Sequence, residues 1–224
     1  MGKLKSKTLT EAAYQMIKDM IINMELEPGQ TLSIQSLSEE LDISQTPIRE
    51  ALIELSNDDL INYERRKKIQ VSEFNEEDIK KAYEARKICE TSLIEEVAKD
   101  PPVEKLKKLK KDIEGILEPS SKEDDQFEIF HETDLELENI VIDSIDNEYI
   151  ANMFDYLKNQ SLRLRFLAEY KKGGPREDII QQGSKEHLDI VNALLEGNQY
   201  KAKEATIKHL EESQRRAIEA FTSI

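Results

Sequence analysis

Acidic and histidine side chains lie on helical faces of this sequence that should be buried. On a helical projection, Asp134 and Glu138 fall about 20° to either side of an apolar stripe. Two carboxylates one turn apart on a buried face are destabilising unless a cation neutralises them. The chain has three histidines, and each shares a face with core positions: His131, His187 and His209.

These side chains could bind a divalent metal ion inside a bundle of helices. The ligands would be Asp134, His187, His209 and either Glu138 or His131. Neutral imidazoles together with carboxylates suit zinc, nickel, manganese or iron, and they do not select among these metals. In the alternative interpretation, each histidine is an ordinary core residue whose hydrogen bonds are satisfied.

Arg86 is a second polar residue on an apolar helical face, where its neighbours include Cys89 and Leu93. Its guanidinium could bind the carboxylate of an anionic ligand through two hydrogen bonds. Alternatively, it forms an ion pair with Glu90 one turn away on the same helix. The sequence leaves both interpretations open.

A pattern of two short helices and a hairpin precedes these helices in the sequence. A short apolar-periodic helix ends near Asp42, a second helix begins at Ser44, and two strand-like segments flank a basic run. Two helices joined by a tight turn and followed by a hairpin with a cationic tip are typical of a winged helix-turn-helix. The residues expected to contact DNA are Ser44, Gln45, Thr46, Arg49, Arg65, Arg66, Lys67 and Lys68.

The positions of the helix-breaking residues predict two domains. We expect a winged helix-turn-helix domain over residues 1–73 and an all-helical domain over residues 74–224. The second domain reads as about six helices separated by proline, glycine and asparagine, which favours an antiparallel bundle. The predicted fold class is therefore mainly α.

Composition and charge exclude several classes of protein. The 224 residues include one cysteine, so an intrachain disulfide cannot form and a cytoplasmic location is expected. No apolar run approaches the roughly 18 residues of a membrane span, so we expect no membrane partner. The net charge of −15 opposes non-specific binding to nucleic acid. Binding to DNA would depend on cations concentrated in the N-terminal arm, the second helix and the hairpin.

At these residues the chain resembles a GntR-family transcription regulator of the FadR type with an FCD effector domain. The run from Ser44 to Leu52 carries the resemblance in the first domain. In the second domain the residues that carry it are Arg86, Glu90, Asp134, Asn147, Glu186, His187 and His209. The resemblance implies a homodimer that binds a two-fold DNA site and represses transcription until a small organic acid occupies the helical domain. It also implies a metal site in that domain and effector binding by Arg86.

Three positions depart from the pattern of the family. Gln45 stands where arginine is usual, and because glutamine prefers adenine edges the operator should differ there. Lys68 stands where the hairpin normally has glycine. Glu138 occupies the position of a metal-binding histidine, and since glutamate can also bind metals we favour Glu138 as the fourth ligand.

Two other functions remain open from the sequence. The Asp, Glu and His cluster could belong to a metal-dependent hydrolase or lyase, since a metal with an open position can activate water. Against an enzyme, the chain offers no separate general base, nucleophile motif or phosphate-binding glycine loop. Alternatively, the protein is a helical scaffold that does not bind DNA, which its acidic composition would suit.

Overall fold

The computed structural model describes residues 9–63, 68–118, 123–171, 174–175 and 177–222. The chain divides into two compact units between Asn75 and Glu76. The predicted mainly α architecture is confirmed, because helices account for most of the described residues in both units. None of the helices in the described part combines the length and the hydropathy that a bilayer-spanning segment needs.

The first unit is a winged helix-turn-helix built from three helices and a small antiparallel sheet. Its elements are α1 (Leu9–Ile22), β1 (Thr31–Leu32), α2 (Ile34–Glu40), α3 (Gln45–Asn57), β2 (Ile61–Tyr63) and β3 (Ile69–Val71). β3 is the central strand, with Ile61 opposite Val71 on one side and Thr31 opposite Gln70 on the other. Leu32 lies in β1. The α2 helix begins two residues later, after Ser33.

Helix starts in the first unit differ in how they are capped. The hydroxyl of Ser33 accepts a hydrogen bond of 3.4 Å from the backbone N–H of Ser36, as expected for an N-cap. Ser44 has the extended backbone of an N-cap, but its side chain makes no capping bond. Pro47 is buried in the first turn of α3, where its missing N–H is harmless. The Ser44 hydroxyl therefore does not stabilise α3.

The second unit consists of six described helices. They are α4 (Glu76–Val97), α5 (Val103–Ile116), α6 (Glu123–Asp143), α7 (Glu148–Glu169), α8 (Glu177–Leu195) and α9 (Gln199–Thr222). A short antiparallel pair, β4 (Tyr170–Lys171) and β5 (Gly174–Pro175), lies between α7 and α8. Helix α9 packs against α4, α7 and α8, and α8 also packs against α5 and α6.

Asparagine and glycine set the helix ends that the sequence predicted. The Oδ1 atom of Asn147 accepts hydrogen bonds from the backbone N–H groups of Tyr149 and Ile150 at 3.1 and 3.3 Å. Gly197 has a φ of +64°, which the residue after a helix commonly adopts and which glycine adopts without strain. Asn147 therefore caps the start of α7, and Gly197 lies between α8 and α9.

Gly183 of α8 allows a close approach between α8 and α6. A Cβ atom added there would lie 2.7 Å from the ring of the buried residue Phe130. Gly183→Ala should therefore lower the free energy of unfolding by about 1–3 kcal/mol, because the ring must shift within a packed core.

Gly115→Ala in α5 is the matched control, since nothing lies within 4 Å of its added Cβ. This variant should be stabilised by about 0.5–1 kcal/mol through helix propensity alone. Urea denaturation of both variants measures the difference. Equal free energies of unfolding for the two would contradict the contact with Phe130.

Candidate functional site

Three helices bring one acidic and two histidine side chains together. Asp134 of α6, His187 of α8 and His209 of α9 are all buried, and one ligand atom of each lies within 4.8 Å of the others. The Nε2 atom of His187 is 3.3 Å from Oδ1 of Asp134, and the two imidazole rings are 4.7 Å apart. One carboxylate with two imidazoles is a donor set that suits a divalent transition metal.

The ring of His187 is positioned by packing. It stacks on Phe130 with the ring centroids 5.4 Å apart and the planes within 5° of parallel. Phe130 itself fills the space that Gly183 leaves open, four residues before His187 on α8. The glycine therefore acts on the cluster through the phenylalanine.

A buried chain of hydrogen bonds orients His209. Its Nδ1 atom is 3.0 Å from Oε2 of Glu186, and both carboxylate oxygens of Glu186 accept bonds from Arg216, at 2.7 and 2.8 Å. Because Nδ1 is engaged, Nε2 is the nitrogen left for a metal. A carboxylate behind a metal-binding histidine fixes the ring and increases its basicity.

The charge of Glu186 is stabilised by the same partners. Burial alone would raise the pKa of its carboxyl group, but hydrogen bonds from Arg216 and His209, with their charges, outweigh burial and hold the pKa at about 2. Glu186 is therefore ionised throughout the physiological range of pH. Arg216 was not anticipated from the sequence, although it lies two helical turns after His209 on the same face.

Arg86 of α4 lines a small cavity together with Asp134, His187 and His209, and it is 2% exposed. Its Nε atom is 2.5 Å from Oε1 of Glu90, so the expected ion pair on the same helix is present. Its Nη2 atom is also 3.8 Å from Oε1 of Glu138. The two interpretations of Arg86 are compatible, because the residue pairs with Glu90 and still lines the cavity.

Glu138 lies in the cavity but outside the compact ligand group. The group contains Asp134, His187 and His209, and neither Glu138 nor the alternative ligand His131 belongs to it. The carboxylate of Glu138 instead approaches two cations, Arg86 at 3.8 Å and Lys158 of α7 at 3.7 Å. Sequence reasoning missed Lys158, which lies on a different helix.

The cavity is small. Its volume is about 30 Å³, and the residues that line it include Arg86, Glu90, Asp134, Glu138, His187 and His209. A single water needs roughly 10–15 Å³ on this measure. The space therefore accommodates a metal ion or one to two waters.

The N-terminus of α3 presents a second candidate site. The four residues predicted there, Ser44, Gln45, Thr46 and Arg49, are exposed. None of their side chains forms an ion pair or hydrogen bond with another described residue. They are therefore available to an external partner.

The hairpin is only partly described. Lys68 is exposed at the start of β3, while Arg65, Arg66 and Lys67 lie outside the described residues, as does the N-terminal arm. The expectation that these cations contact DNA backbone stays a prediction.

Comparison with known families gives two matches. Residues 9–71 match the family described as "Bacterial regulatory proteins, gntR family", and residues 81–212 match the FCD domain. The second match alone covers more than half of the chain.

Individual proteins show the same similarity. The chain is 27% identical to the HTH-type transcriptional regulator LutR of Bacillus subtilis, over 85% of this chain and 93% of LutR. It is also 27% identical to the gluconate operon transcriptional repressor of the same organism, over 75% of this chain and 70% of the repressor. The solved structure of E. coli McbR/YncC covers 92% of this chain and is itself covered to 95%, with a TM-score of 0.74 and 17% identity. That structural likeness supports the fold.

The Glu186 network predicts how stability depends on pH. The folded pKa of about 2 is below the ordinary value of 4.5, so the contribution of this carboxylate is fully present above pH 4.5 and is lost as the pH falls through 2. Glu186→Gln should therefore be less stable than the parent protein at pH 7. The difference between the two should shrink between pH 4.5 and 2.

Denaturant titrations across this range measure the difference. Glu211→Gln, which alters an exposed ion pair with Lys87, is the control and should differ little from the parent at any pH. A Glu186→Gln deficit that stayed constant down to pH 2 would show that the carboxylate charge is not responsible.

Proposed function

The chain belongs to the GntR family of bacterial regulatory proteins and carries an FCD domain, so it is a DNA-binding transcription regulator, and we propose that it is a repressor released from its operator by a small organic acid. The observation that carries the ligand part of this proposal is the Asp134, His187 and His209 group beside Arg86 in one cavity. One of the matched relatives is itself named a transcriptional repressor, which supports the direction of control.

DNA recognition is assigned to the start of α3. Ser44, Gln45, Thr46 and Arg49 are exposed at a helix N-terminus, where backbone N–H groups also favour phosphate. Arg49 suits guanine or phosphate, while the amide of Gln45 suits adenine. Lys68, with Arg65, Arg66 and Lys67, would contact the DNA backbone. A homodimer on a two-fold operator would present two such helices.

Effector binding is assigned to the cavity of the helical unit. Asp134, His187 and His209 would hold a divalent ion, with zinc, nickel, manganese and iron all compatible with the donors. A bound ion would add positive charge that attracts the carboxylate of an organic acid. Arg86 would bind the same carboxylate through its guanidinium. The effector would change operator affinity only in so far as it binds one conformation of the dimer better than another.

A binding role, and not a catalytic one, is assigned to this cluster. The family and the matched relatives are regulators. We assign the protein to the cytoplasm, where control of an operator would take place.

Arg49 provides the test of DNA recognition. Arg49→Ala should weaken binding to a duplex selected from random sequence by the parent protein by about 10- to 100-fold, because one base or phosphate contact contributes roughly 1–3 kcal/mol. Fluorescence anisotropy at fixed salt measures the change.

Arg215→Ala removes an equal charge from the helical unit and is the control. Arg215 is an exposed residue of α9 paired with Glu212 and Glu219. Unchanged binding by Arg49→Ala, or failure of the parent to select any duplex, would favour a scaffold that does not bind DNA.

Asp134 provides the test of the metal site. Asp134→Asn should lower zinc affinity by about 100-fold or more, because it removes the charged ligand of the group. Competition with a fluorescent chelator at pH 7 measures the affinity. His131→Ala should stay within about threefold of the parent, since His131 lies outside the group. An equal loss in both variants would place His131 among the ligands.

A further inference from the structure

The surroundings of Glu138 are those of a counter-ion. The residue is 6% exposed, and its carboxylate lies 3.8 Å from Nη2 of Arg86 and 3.7 Å from Nζ of Lys158. These cations come from two other helices, α4 and α7. A buried carboxylate at ion-pair distance from two cations offsets part of their combined positive charge.

The effector carboxylate would need the same surroundings. Arg86 is the residue assigned to bind that carboxylate, and Glu138 already approaches it. The cavity of about 30 Å³ is small and Glu138 lines it, so an organic acid bound there would lie close to the Glu138 carboxylate. Two carboxylates that close to one another would also repel.

We propose that Glu138 is a built-in competitor of the effector, occupying the carboxylate position between Arg86 and Lys158. This inference rests on the proposed function, since it takes the effector to be an organic acid. The carboxylate of the effector displaces that of Glu138 and forms ion pairs with Arg86 and Lys158 in its place. Glu138 is then not the fourth metal ligand, and the metal is held by Asp134, His187 and His209.

Competition would affect both the affinity for the effector and the contacts between helices. The effector binds more weakly than it would in an otherwise identical cavity with no carboxylate at position 138, because the internal ion pairs must first break. Displacement also transfers the interaction of α4 and α7 from α6 to the ligand. Lys158 thereby becomes a second cation for the effector, contributed by α7.

Acetate is the probe for this proposal, because it has the size of the fragment that Glu138→Ala removes. Acetate should stabilise Glu138→Ala against thermal unfolding at a concentration at least about 10-fold lower than it requires for the parent, with chloride replacing acetate at constant ionic strength. Glu132→Ala, an exposed position on the same helix, is the control and should respond like the parent.

Two further measurements separate this role from a general structural one. In Glu138→Ala, the added substitution Lys158→Met should remove most of the gain in acetate affinity. The zinc affinity of Glu138→Gln should stay within about threefold of the parent, which distinguishes a counter-ion from a ligand.

Each contrary result has a definite meaning. Equal acetate responses of the parent and Glu138→Ala, or a gain that does not depend on Lys158, would overturn the competition. A loss of zinc affinity of about 10-fold or more in Glu138→Gln would make Glu138 a ligand and also overturn the proposal. If the parent itself binds no zinc, the proposed metal site fails, whereas the comparison of acetate binding still decides the role of Glu138.

Discussion

Buried charged side chains in the helical unit are stabilised by oppositely charged side chains, either on the same helix or on another one. Glu186 of α8 is held by Arg216 and His209 of α9, and Arg86 lies beside Glu90. A buried charge that loses its partner destabilises a protein by roughly 3–5 kcal/mol. The ligand group can form only while α8 and α9 keep the spacing that these pairs require, so charge compensation fixes the geometry of the cavity.

The sequence predicted the candidate ligand group but not the contacts that support it. Helical periodicity placed Asp134, His187 and His209 on inward faces, and the structure brings them together. Periodicity describes one helix at a time, so it could not show that Arg216 reaches Glu186 or that Phe130 stacks on His187. Those contacts depend on how α6, α8 and α9 pack. Glu138 illustrates the same difficulty, because the cations that its carboxylate approaches lie on α4 and α7.

The fold was predictable where local signals were strong. Asparagine, proline and glycine marked most helix ends, and the regular apolar pattern identified the six helices of the second unit. Short pairings were harder, because two-residue strands such as β1 and β4 carry almost no periodic pattern. Ser44, where the sequence predicted the start of a helix, has the backbone of an N-cap although its hydroxyl caps nothing.

The two candidate sites differ in burial: the side chains at the start of α3 are exposed, and those of the cavity are buried. This difference explains why the first site was easier to find from the sequence. At the start of α3, polar side chains remain exposed without partners among the described residues, while Pro47 and Ile48 anchor the helix in the core. Such a site is visible in local sequence, because exposure and helix position suffice to define it. In the cavity, charged side chains such as Arg86 and Glu138 already lie beside groups of opposite charge. One departure from the family pattern, glutamate at position 138, therefore changes the charge balance that a ligand meets. Its effect could be interpreted only once Arg86 and Lys158 were located beside it.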